Sequence, residues 1–135
     1  MITQTAFKLK SRSKGFHLIT VEVLKALGKL PDAGLLHLFI QHTSAALSIN
    51  ENADQTVRDD LDRSFDRLAP EGSDYAHDDE GSDDMPAHVK AVLTGSSISL
   101  PIMNGRLALG TWQGIYLCEF RKLPHVRKII ATITT

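Results

Sequence analysis

The chain has 135 residues, of which 42% are hydrophobic and 23% charged, with a formal net charge of -1 at pH 7. These proportions describe one ordinary globular domain and exclude the low-hydrophobicity, high-charge pattern of a disordered chain, while the near-neutral charge gives no overall attraction to nucleic acid or an anionic membrane. No apolar run approaches the roughly 18 residues of a membrane span, and the N-terminal MITQTAFKLKSR lacks the apolar core of a signal peptide, so the cytoplasm is the expected address.

The segment TAFKLKSR alternates Phe7 and Leu9 with Ala6, Lys8 and Lys10, which predicts a strand with one buried face. From Thr20 to Leu30, Val21, Leu24, Leu27 and Leu30 recur at spacings of three, predicting a short amphipathic helix with Thr20 as its N-cap and Gly28 and Pro31 near its end. LLHLFIQH is nearly continuous in apolar residues and predicts a strand covered on both faces, ending at His42. TSAALSIN leads to a second helix, about Ala53 to Leu68, whose stripe is Val57, Leu61, Phe65 and Leu68 and whose charged residues form a solvated face.

From Glu71 to Asp84 the sequence EGSDYAHDDEGSDD holds seven acidic residues and no basic ones, with two glycines and two serines, and reads as a loop. A third helix, PAHVKAVL, follows, with Pro86 in its first turn, Asp84 near the cap and His88 expected in the first turn. The remainder reads as antiparallel strands: SISLPI, RLALG after the turn at Asn104 and Gly105, QGIYLCEFR and VRKIIATIT. Within QGIYLCEFR, Glu119 shares a face with Ile115 and Leu117, and the single Cys118, on the other face, reads as a buried thiol with no disulfide partner in the chain. The order of elements predicts one α+β domain spanning residues 1–135, with packed antiparallel sheets in a β-sandwich-like arrangement and about three helices.

Three histidines stand at element boundaries: His42 at a strand end, His77 in the acidic loop and His88 at a helix start. Neutral imidazole binds metals and accepts protons, and a helix N-terminus favours that neutral form. The 34 and 10 residues that lie between them are not a diagnostic zinc spacing. Asn50, Glu51, Asn52 and Asp54 crowd together before the second helix, where capping accounts for one or two of them. Trp112 and Gln113 lie between Gly110 and Gly114, where a glycine marks a bulge or a close backbone approach; a core role for Trp112 is weighed against a stacking face for a ring.

The blocks HTSAALSINENAD, YAHDDEGSDDMPAHVKAVLTGSS and LPIMNGRLALGTWQGIYLCEFR, with SRSKGFHLIT before them and RKIIAT after, resemble the successive signature blocks of the YjbQ family, also called the secondary thiamine-phosphate synthase family. The resemblance implies a homotrimer with a weak ability to make thiamine phosphate, joining a pyrimidine methyl diphosphate to a thiazole phosphate with loss of pyrophosphate. It implies a site of His42, His77 and His88 with Asn50, Glu51 and Asp54, and with Glu119 and Arg121 in the closing strand. In KLPHVRK the chain departs from the glycine-rich turn that relatives carry before the arginine, which bears on any anion contact by Arg127.

On this reading His42, His77 and His88 are the metal ligands; with Glu51 and Asp54 they are the catalytic set; and Asn50, Trp112, Gln113, Glu119 and Arg121 face the substrate, a small phosphorylated metabolite. The cofactor is a divalent metal: zinc if the histidines hold it, magnesium if Glu51 and Asp54 do. A non-catalytic trimer that binds a metal or phosphometabolite, and metal-assisted hydrolysis of a phosphorylated metabolite, use the same residues.

Overall fold

Alternating apolar residues at the two ends of the chain build the edge of the main sheet. β1 (Ile2–Arg12) and β8 (His125–Thr134) pair antiparallel from Ile2 opposite Thr134 to Arg12 opposite His125. The structure is a computed structural model and describes residues 1–72 and 74–135. β8 also pairs with β3 (Ala33–Ile40), which pairs in turn with β5 (Ser97–Met103), and β5 turns into the two-residue β6 (Arg106–Leu107). The β5–β6 turn places Asn104 at φ 53° and Gly105 at φ 73°, the left-handed pair that a two-residue hairpin requires and that Asn-Gly supplies at little cost.

A second, three-stranded antiparallel sheet runs β2 (Gly15–Leu18), β7 (Gln113–Glu119), β4 (Ala45–Glu51). One hydrophobic cluster joins inward-facing residues of both sheets, with Leu36, Leu38, Ile40 and Ile129 from the larger and Leu47, Ile115 and Leu117 from the smaller. Each such fully buried aliphatic side chain contributes roughly 1.5–3 kcal/mol. The opposite face of the smaller sheet carries Phe16, Tyr116, Cys118 and Phe120, which are covered by Leu61 and Phe65 of α2 (Gln55–Leu68) and Ala87 of α3 (Asp84–Thr94). Phe65 stacks on Phe120 at 5.8 Å, and Phe16 meets Phe65 edge-on at 5.2 Å. The buried Lys90 of α3 reaches Asp66 of α2 at 2.7 Å with its ammonium over the Phe120 ring, so the two helices are tied by charge as well as packing. With α1 (Thr20–Leu27), the described residues form three helices and eight strands in one α+β domain with packed antiparallel sheets, as the sequence predicts.

Four local expectations are corrected. Helix α1 ends at Leu27, and Thr20 does not cap it, because its hydroxyl accepts the Ile115 N–H instead; Val23 is the buried residue, and Val21 points outward. The β3 strand is covered on one face only, which leaves Leu35 and Phe39 46% and 41% exposed. TSAALSIN is itself largely strand β4, and RLALG keeps only two strand residues. α3 begins two residues before Pro86, so His88 is the fifth helical residue and falls in the second turn instead of the first, at i+4 from Asp84.

The sheets are also pinned by charge. Glu119 of β7, fully buried, accepts Arg127 Nε from β8 at 2.6 Å and Arg127 Nη2 at 2.5 Å, and Nη2 also donates to Ser44 Oγ at 3.0 Å. Both charges are out of water, so removing one leaves the other uncompensated. Arg127→Met is expected to cost about 3–5 kcal/mol in urea unfolding, and the double replacement of Arg127 and Glu119 by methionine to recover most of that loss. A loss below about 1 kcal/mol for the single variant would show the pair to be solvated.

Candidate functional site

Asp84, the first residue of α3, organises a polar cluster at the end of the smaller sheet. Its side chain is buried, and Arg121 Nη1 donates to Oδ1 at 2.8 Å. Oδ2 faces two ring nitrogens, His77 Nε2 at 2.8 Å and His88 Nε2 at 3.2 Å. The spacing of Asp84 and His88 sets both on one face of α3, and the acidic loop folds His77 back so that the two rings stand 5.5 Å apart between centroids. Ligand atoms of His77, Asp84 and His88 all lie within 4.8 Å of one another.

His88 is oriented from behind, its Nδ1 donating to the Thr43 carbonyl at 3.0 Å, while His77 Nδ1 stands 3.8 Å from the exposed Asp79 carboxylate, beyond hydrogen-bond distance. Because a carbonyl only accepts, the neutral His88 ring carries its proton on Nδ1 and turns a bare Nε2 lone pair toward the Asp84 carboxylate. Two acceptors facing one another require a proton or a cation between them. Burial opposes ionisation of Asp84, but the His77 hydrogen bond and the charges of His88 and Arg121 outweigh it and hold the carboxyl below its usual range. Two imidazoles, one of them oriented through its outer nitrogen, with one carboxylate held by a guanidinium, are a donor set that fits a divalent metal. A cavity of about 190 Å³ lined by Tyr75, His77, Ser82 and Met85 opens beside the cluster.

The residues predicted for one site divide between two ends of the smaller sheet. His42 lies outside this group: its Nε2 accepts the Lys128 N–H at 2.8 Å, whereas the ligand atoms that converge are those of His77, Asp84 and His88. Arg121 directs its guanidinium to Asp84, Asp83 and the Glu80 carbonyl, and Glu119 accepts from Arg127 and the Arg121 N–H, so both hold neighbouring groups in place. Ala45 pairs with Glu119 at this end of the sheet and Glu51 with Gln113 at the other, six residues and roughly 20 Å along β4.

At that far end the residues have structural duties. Asp54 is the N-cap of α2, where the Thr56 hydroxyl and N–H hold its carboxyl below the usual range. Glu51 accepts the Asp54 N–H, Asn50 the Glu51 N–H, and Gln113 the Gly110 N–H. Trp112 is 66% exposed and no part of the core, on a loop that Asn52 clamps by donating to the carbonyls of Thr111 and Gln113. Gly114 marks a close approach: a Cβ there would lie 2.6 Å from Leu18 Cδ2.

Sequence reasoning treats Asp84 as a helix-start residue only. The signal that finds it is the four-residue interval to His88, which becomes decisive once Asp84 is known to begin the helix.

Fold and site together define an α+β protein of two packed antiparallel sheets with a His–Asp–His cluster of metal-ligand geometry at one end. Residues 5–135 match the family described as UPF0047 protein YjbQ-like, and the chain belongs to that family. It is 50% identical over 132 residues to UPF0047 protein YjbQ of Escherichia coli O157:H7, covering 96% of each chain. Among solved structures, a YjbQ/UPF0047 family protein of Clostridium acetobutylicum is 38% identical with a TM-score of 0.83, covering 96% of this chain and 98% of that one. A conserved hypothetical protein of Thermus thermophilus is 36% identical with a TM-score of 0.82, covering 93% of this chain and 96% of that one.

Burial first, then the charge of Arg127, lowers the His42 pKa from the ordinary histidine value. The folded state therefore favours the neutral ring. The unfolded chain takes up this proton first, so His42 contributes a loss of stability as pH falls from about 6.5 toward its folded pKa. Ring resonances followed by NMR are expected to give His42 a midpoint below about 6.5; a midpoint at or above it would show that burial and Arg127 do not govern the ring.

Proposed function

We propose that the chain is a metal-dependent enzyme of small phosphorylated molecules, with a divalent transition metal held by His77, Asp84 and His88. The supporting observation is the convergence of two imidazole Nε2 atoms on one buried carboxylate oxygen. Two nitrogens and one oxygen favour zinc or a similar ion over magnesium, and three protein ligands leave positions open for substrate. Such an ion supplies Lewis acidity to phosphate oxygens. Arg121 holds Asp84 in place, the Thr43 carbonyl holds His88, and the Tyr75 and Ser82 side chains line the adjoining cavity. Asp78, Asp79 and Glu80 in the same loop would repel a bare phosphate, so this reading requires the cation.

The reaction we assign is the one the family resemblance implies: a weak, secondary thiamine-phosphate synthase transfer, in which a pyrimidine methyl diphosphate joins a thiazole phosphate and pyrophosphate leaves. The open positions of a three-ligand set also favour metal-assisted hydrolysis of a phosphorylated metabolite as a second reading. Trp112, Gln113, Asn50, Glu51 and Asp54 stand outside the metal chemistry of one protomer in either case.

Protein purified without chelators is expected to carry about one zinc-class ion per chain, with Arg121→Ala weakening its affinity roughly 10–100-fold. A thiamine-requiring strain is expected to grow with the wild-type gene and to fail with Asp84→Asn or His88→Ala. Full metal content in those variants would sink the metal assignment; equal rescue would remove the centre from the transfer. Metal binding with neither transfer nor phosphate release would favour a non-catalytic module.

We further propose the homotrimer that the resemblance implies, in the cytoplasm. The uncovered face of the larger sheet presents Leu35 and Phe39 beside Pro101 and Ile130, an apolar patch suited to burial between copies. Among the described residues no helix is long and apolar enough to cross a membrane. Sedimentation is expected to show a trimer at micromolar concentration and Phe39→Lys to shift it toward monomer; a wild-type chain that stays monomeric would overturn the assembly.

A further inference from the structure

A sizeable apolar cavity lies away from the His–Asp cluster. About 520 Å³ opens between the C-terminal end of α1 and the β5–β6 hairpin, walled by Leu24, Leu30, Leu107 and Leu109. Thr20, which also lines it, accepts the Ile115 N–H, four residues and about 14 Å along β7 from Glu119. The cavity is therefore separate from the site described above.

Its charge is of one sign. Lys29 and Arg106 are the charged residues of its lining, and no carboxylate lines it. Among the described residues neither side chain forms an ion pair, whereas Arg12, Arg63, Arg121 and Arg127 all do. Lys29 follows the end of α1 and complements the carbonyl end of that helix, which leaves Arg106 as the cation with no other structural duty. Volume and lining match those of small-molecule pockets, mostly apolar with a few polar groups that fix orientation.

We propose that this cavity binds a small apolar carboxylate, its hydrocarbon body against Leu24, Leu30, Leu107 and Leu109 and its anionic end on Arg106, with Lys29 beside it. A guanidinium matches a carboxylate bidentately, and the apolar walls strengthen that pairing by excluding water. A neutral ligand of the same shape forgoes the charge pairing, and a bare inorganic anion forgoes the apolar contact.

Decanoate titrated into the ¹⁵N-labelled full chain is the test. Saturable shifts are expected at Leu24, Lys29, Arg106 and Leu107, with affinity at least tenfold weaker for decanamide and for Arg106→Ala, whose melting temperature stays that of wild type. Three outcomes would overturn the proposal: no saturable shifts, shifts centred elsewhere, or equal binding of decanoate by Arg106→Ala and wild type. Because the cavity shares no residue with the metal ligands, His88→Ala is expected to bind decanoate as wild type does.

Discussion

The buried pair between Glu119 and Arg127 is the contact on which both fold and site depend. It joins the last residue of β7 to the third residue of β8, and so adds a charged contact to the apolar cluster that the two sheets share. Arg127 extends to the carbonyl and hydroxyl of Ser44, in the loop that carries His42 and the Thr43 carbonyl on which His88 rests. Glu119 extends to the Arg121 N–H, which sets the start of the segment whose guanidinium holds Asp84. A pair this buried contributes less to net stability than its geometry suggests, since desolvation offsets much of the attraction. Its effect is positional: the end of the smaller sheet has one arrangement in which every buried charge is met.

Two buried carboxylates at this end show how environment divides roles. Both oxygens of Glu119 are answered by one guanidinium, which leaves that carboxylate no capacity for a ligand. Asp84 has one oxygen answered by Arg121 and the other turned to two imidazoles, one of which offers a lone pair in its neutral form. That mismatch among otherwise satisfied polar groups is what a divalent cation would resolve. The same contrast separates Arg121 and Arg127, which are occupied with carboxylates, from the exposed Arg106, which lines a mostly apolar hollow and has no ion-pair partner among the described residues.

The smaller sheet also explains why the family's marked residues do not form a single site in one protomer. β4 and β7 run antiparallel with His42 and Ser44 before one end of β4 and Asn50 and Glu51 at the other, so blocks adjacent in sequence lie a strand length apart. At the far end the polar cluster is occupied with capping α2 and clamping the Trp112 loop, and Trp112 stands exposed on a rigid support.

Sequence alone determined what is written in local periodicity and turn chemistry: the alternating terminal strands, the stripe of α2 through Phe65, the Asn104–Gly105 hairpin, and the opposite faces of Glu119 and Cys118. It also placed His77 and His88 among candidate ligands, through the blocks shared with the family. Tertiary structure decided which of these residues meet. Asp84 meets His88 because α3 begins at Asp84 and sets both on one face, whereas His42 Nε2 accepts an N–H of β8. Val23 in place of Val21, and a β3 strand bare on one face, were likewise settled by what packs against each element. Periodicity records which residues share a face; only the assembled fold determines what that face meets.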